Sequence, residues 1–174
     1  RFHIDYFKGK GTQNPKPGEP IAQQAVVEAI LEKHDAATNS RRFNAILATS
    51  SINNAIEYYQ LFKANQKQKL EENEDYVPLN IACVFSPPAQ LIAKEGDQQS
   101  QKNAADIKQL QEDLEQEKED NKQNPEEKKA ALKIIIDDYN KQYGTNHSIN
   151  EFDLYYQDIQ LRIKDQKYSN KDYP

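Results

Sequence analysis

No methionine or tryptophan occurs in this chain, and it holds one cysteine, three histidines and five glycines. A chain without methionine was not translated from its own start codon in this form, so a processed piece or an excised fragment is expected. One cysteine, Cys83, excludes an internal disulfide and suits a reducing cytoplasm. His3, His34 and His147 are scattered without metal-ligand spacing, so no cofactor metal is expected here. No apolar run approaches the roughly 20 residues that cross a bilayer, and no signal peptide is present, so no membrane partner is expected. The GxxxxGK[ST] phosphate loop is missing, as are the GxSxG elbow and any cysteine–histidine signature, and no catalytic residue can be assigned.

What is present is polar. Apolar residues make up 36% of the 174 and charged residues 29%, with a mean hydropathy of −1.02. That suffices for one ordinary core, with part of the chain left as solvated helix or disorder. The net charge is −5 and the pI about 5.3, whereas duplex-coating proteins are basic. Any nucleic-acid contact must therefore be local or supplied by missing parts.

The most informative stretch is Arg42 to Lys63. Phe43, Ala45, Ile46, Leu47 and Ala48 form a short apolar run that breaks at Thr49-Ser50-Ser51. Ile52, Ala55, Ile56, Tyr59 and Phe62 then recur at helical spacing. This predicts a buried strand over 43–48 feeding a helix through a polar turn, the opening of a βαβ unit. A polar tail is expected over 63–75. A second buried strand is expected over 79–85, closed by Ser86-Pro87-Pro88. The predicted fold class is α/β, a small parallel sheet flanked by helices.

Around this unit the chain divides into four. Residues 1–19 read as a short strand, in which Phe2, Ile4 and Tyr6 alternate with polar residues, and an extended connector. Residues 20–93 hold the βαβ unit, preceded by a helix opening at Pro20 and ending near Thr38-Asn39, with Ile21, Ala25, Val26, Ala29 and Ile30 as its apolar face. Residues 94–123 are a charged insertion, helical over 103–118 and disordered around it. Residues 124–174 form a helical pair. Asn124-Pro125 caps its first helix, with Leu132, Ile135, Ile136, Tyr139 and Tyr143 inward and Gly144 as the stop. Ser148 and Glu151 form a capping box for the second, whose face is Phe152, Tyr155, Tyr156, Ile159 and Ile163.

One turn is a credible site. The hydroxyls of Thr49, Ser50 and Ser51, the Asn53 amide and the free N–H groups of a helix start could hold a phosphate without net basic charge. Plain helix capping by Ser50 or Ser51 explains the same residues. Ser86, beyond the second strand, would line the same crevice or merely end the strand. Tyr58-Tyr59 and Tyr155-Tyr156 suit base stacking, but each places a ring on an apolar face, where core packing accounts for it. Adjacent acids such as Asp137-Asp138 point away from each other on a helix and form no acid–base pair. Arg41 and Arg42 lie at the wrong end of the sheet for the crevice and read as surface charge.

Three blocks in order, 20–63, 80–88 and 139–166, resemble the R subunit of type I restriction enzymes. NAILATSSINNAIEYYQLFK (44–63) is similar to helicase motif IV. The resemblance implies an incomplete second RecA-like motor lobe within an ATP-dependent, DNA-translocating type I site-specific deoxyribonuclease. It also implies ATP and magnesium as the parent's cofactors, with DNA and the methylation and specificity subunits as its partners. By the same resemblance Thr49, Ser50 and Ser51 contact the DNA backbone. The phosphate-binding lysine, the acidic metal-binding box and the nuclease residues of that family are not encoded here. The fragment alone is therefore expected to be inactive. The competing reading is a non-enzymatic helical interaction module centred on 94–166.

Overall fold

In the computed structural model, residues 20–88 and 115–164 are described, and they form helices joined by irregular segments. The helices are α1 (Pro20–Ala37), α2 (Ile52–Glu72), α3 (Glu115–Asp120), α4 (Pro125–Tyr143) and α5 (Phe152–Lys164), the last preceded by a 3₁₀ turn at Ile149–Glu151. The expected N-terminal strand and connector, most of the charged insertion and the last ten residues lie outside the described residues.

The parallel sheet is not present: no strand occurs among the described residues. Residues 43–48 and 79–85 follow irregular paths, and neither is paired with the other. For 43–48 the apolar run is exposed rather than buried, Ile46 by 78% and Phe43 by 55%. For 79–85 the burial expectation holds at its ends, Leu79 and Phe85, but side chains replace the ladder. Gln66 of α2 donates to Leu79 O at 3.1 Å and accepts from Leu79 N–H. Further along, Cys83 Sγ reaches Ala55 O at 3.8 Å and Tyr155 Oη donates to Cys83 O at 2.8 Å. The segment thus runs back along α2, antiparallel to it, and under α5. A buried backbone needs its polar groups satisfied, but it does not need a strand to satisfy them.

One core joins α2, the 79–85 segment, α4 and α5: Ile52, Tyr59, Phe85, Leu132, Ile135, Ile136, Tyr139, Phe152, Tyr155 and Ile159. The faces expected for the last two helices lie here, with Tyr143 and Tyr156 half-buried against this core and Ile163 exposed. Tyr59 and Tyr155 are buried, as core packing requires. On α1 the buried stripe is Gln23, Val27 and His34, continued by Thr38, one position away from the predicted face. Its packing on α2 is largely polar, with Gln23 donating to Glu57 at 2.8 Å and Gln24 to Asn65 at 2.9 Å.

The helix ends show which local signals operate. Ser51 caps α2, accepting from Asn54 N–H at 3.1 Å. Replacing Ser51 by alanine should cost about 1 kcal/mol, read as a lower urea midpoint. The expected polar tail of α2 is helical to Glu72, supported by the i,i+4 pairs Lys67–Glu71 and Gln68–Glu72. Pro125 opens α4 and Gly144, at φ 65°, closes it. Asn124 precedes α4 in left-handed geometry without a side-chain cap, and Ser148 bonds Glu151's carboxylate without capping the backbone.

After α1 the chain turns through three consecutive left-handed residues, Asn39, Ser40 and Arg41. Thr38 and Asp35 fix this costly geometry. Arg42 and Phe43 N–H both donate to Thr38 O, and Ser40 N–H donates to Asp35 O at 2.7 Å. Arg41 is not loose surface charge. Its guanidinium donates to Asp35 at 2.7 Å and to the carbonyls of Val77 and Pro78, clasping the two irregular segments together. That hydrogen bond from Arg41 holds the Asp35 carboxyl below its usual range.

Candidate functional site

The polar turn sits at the start of α2 and is partly open to solvent. Ser50 and Asn53 are exposed, and Thr49 and Ser51 half-buried. Thr49 Oγ1 donates to Ser51 O at 3.2 Å. Ser50 Oγ accepts from the Asn54 side chain at 2.8 Å, a bond that does not use the hydroxyl's own proton. Ser51 is committed to capping. The plain-capping explanation therefore accounts for Ser51 and not for Ser50.

Ser86 is elsewhere in sequence and differently employed. It is 2% exposed, and both its N–H (2.9 Å) and its hydroxyl (2.5 Å) donate to one oxygen of Glu117 on α3. Asn121, just past α3, donates to Ser86 O at 2.8 Å. Asp120, at the end of α3, accepts from Ile52 N–H at 2.9 Å, the first free donor of α2. The crevice between strand ends does not exist, yet α3 holds both loop tips through two carboxylates. Sequence reasoning missed these acids because they lie in a run whose composition suggested only a solvated face. Lys128, buried on α4, secures the loop by donating to the carbonyls of Asp120 and Gln123.

A second polar cluster closes the α4–α5 hairpin. Asp158 Oδ2 accepts from Tyr139 Oη at 2.6 Å and Arg162 Nε at 3.1 Å, with His147 Nε2 at 3.3 Å. The Arg162 guanidinium lies 4.0 Å from the centre of the Tyr143 ring, a cation–π stack. Burial works to raise the Asp158 carboxyl, but the bonds from Tyr139 and Arg162, the Arg162 charge and the His147 contact together hold it below its usual range. Tyr139 and Tyr155 are pushed far up, chiefly by burial. The bonds to Asp158 tie the α4 end, the connecting loop and α5 together, so the cluster braces the hairpin.

Cys83 is chemically quiet, since burial pushes its thiol up to about 12. Among the described residues no three His, Cys, Asp or Glu side chains gather where a metal could bind, and no helix is long and apolar enough to cross a membrane.

Comparison with known proteins decides the family. The profile of type I restriction enzyme subunit R domain 3 matches residues 41–172. This chain belongs to the type I restriction enzyme R subunit family. Among its relatives are the type I restriction enzyme SauCOLORF180P and SauMSSORF170P endonuclease subunits of Staphylococcus aureus strains COL and MSSA476. SauMRSORF196P, from strain MRSA252, is a third. Each is 28% identical over 141 residues, which cover 81% of this chain and 12% of the relative. The chain thus spans about an eighth of the length of these endonuclease subunits. The match begins at Arg41, on the clasp, and takes in both loop tips, α3 and the braced hairpin.

Proposed function

We propose that this segment serves the DNA-handling part of an R subunit that translocates DNA with ATP and cleaves it. Its own share is to rest the Thr49–Asn53 turn against the DNA backbone. The observation that carries the reading is the exposed Ser50, with Asn53 beside it, at the start of a 21-residue helix within the family match. Hydroxyl and amide donors at a helix start suit phosphate oxygens and carry no sequence preference. Thr49, Ser50 and Asn53 make the contact, Ser51 keeps the helix start in shape, and Ser86 lies beneath α3. Assignment to domain 3 fits a place beyond a nuclease domain and a first motor lobe, the order the resemblance implies.

ATP and magnesium belong to other parts of that subunit, since this sequence has no phosphate loop. The nuclease residues likewise lie elsewhere, and the segment alone turns over neither ATP nor DNA. The methylation and specificity subunits, which would supply the target sequence, are partners of the whole, and the cytoplasm is its proposed location.

Exchanging Ser50 for aspartate in the R subunit should weaken binding to any duplex about tenfold, by equal factors for unrelated sequences. Fluorescence anisotropy with two unrelated duplexes measures it. Unchanged affinity would remove the turn from the interface. The interaction-module reading retains one observation, the exposure of Ile134, Leu154 and Leu161 on α4 and α5. It predicts concentration-dependent self-association in sedimentation, whatever happens at Ser50.

A further inference from the structure

We infer that α3 is a tethered anionic plug, seated on Ile52 N–H and Ser86 beside the turn where the DNA backbone would bind, and displaced by it; the inference rests on the reading of the Thr49–Asn53 turn given above. Three observations carry it. The first is the seating: carboxylates of Glu117 and Asp120 occupy backbone N–H groups of two loops that lie 31 and 68 residues away in sequence. Carboxylate and phosphate oxygens compete for the same N–H donors.

The second is charge. With four acids against one lysine, α3 carries a net charge of −3, and while seated at Ile52 N–H it repels a polyanion from the neighbouring turn. The third is an imperfection in the seat itself. Asn121 is 8% exposed, and its side-chain carbonyl finds no hydrogen-bond partner among the described residues. A buried acceptor without a donor makes the seated state less favourable than its carboxylate bonds suggest. Six residues of helix make a plug that is fastened at two points, with an unsatisfied acceptor just past its end. Lys128 anchors its exit end, so that lifting pivots about the α4 start and does not unravel α4.

Glu117→Gln with Asp120→Asn keeps an acceptor at each seat and removes both charges. This double variant should bind a 20-base-pair duplex about tenfold tighter than wild type at low salt, and the gain should shrink as salt rises. Glu119→Gln, which removes the same kind of charge from the exposed face of α3, should stay within about twofold of wild type. Duplex added to wild-type protein should speed tryptic cleavage after Lys118 and Lys122. Circular dichroism verifies folding, and each single variant carries the test if the double one unfolds. If charge removal leaves affinity unchanged while Ser50→Asp still weakens it, the plug is a plain brace and the inference falls alone. If Ser50→Asp has no effect in either background, the backbone-contact reading falls and takes the plug with it.

Discussion

Replacing Asp158 by alanine should lower the free energy of unfolding by roughly 3 kcal/mol, near the lower end for a broken buried ion pair because the cluster keeps some solvent contact. The loss comes less from the bonds themselves than from what they leave behind. Arg162 would keep its charge against the Tyr143 ring, and Tyr139 Oη would stay buried without its acceptor. Urea unfolding of the chain measures the effect. Asp158→Asn sharpens it through pH. The Asp158 carboxyl is held below its usual value in the folded chain, so its stabilisation is complete above the unfolded value, about 4, and is lost as pH falls through the folded one. The advantage of wild type over Asp158→Asn should be present above about pH 5 and fade in the acid range below. An advantage that persists undiminished in strong acid would show that the charge of Asp158 plays no part.

Leu132→Ala should cost roughly 3–4 kcal/mol, since a fully buried leucine leaves a cavity its neighbours fill poorly. Leu132 is 0% exposed, and the cluster around it draws on four elements, including the rings of Tyr139 and Tyr155, which cannot collapse inward without breaking bonds to Asp158 and Cys83. Ile134, two positions along α4, is 61% exposed, and its change to alanine should stay within about 0.5 kcal/mol. Thermal or urea melts of both variants give the comparison. Equal losses would mean that α4 is rotated from the orientation described.

The helices were legible where apolar spacing and punctuation agreed. Pro20, Pro125 and Gly144 each marked a boundary because a missing N–H or a left-handed φ restricts where those residues can sit. The α4 and α5 faces followed from spacing, apart from the exposed Ile163. The sheet was misread because a short continuous apolar run has no period, so it marks neither strand nor exposed irregular chain. Over 79–85 a glutamine and a tyrosine replace the ladder, and nothing local in ten residues announces such partners. The end of α2 was misread for the opposite reason: polarity suggested a tail, although Lys, Gln and Glu are good helix formers. The polar turn before α2 was legible from its hydroxyls, one of which caps the helix. Glu117, Asp120 and Lys128 were not, because residues of these types are ordinarily exposed and only the tertiary arrangement brings them to the loop tips.

The most direct measurement is site-directed cross-linking of the R subunit to duplex DNA bearing thiol-reactive groups on its backbone. Cys83 is buried and its thiol is raised to about 12, so the wild-type segment is a quiet background. A cysteine placed at Ser50 should cross-link efficiently, and one at Ile134, also exposed to solvent but on α4, should not. Equal yields at the two positions, or none at Ser50, would contradict the account.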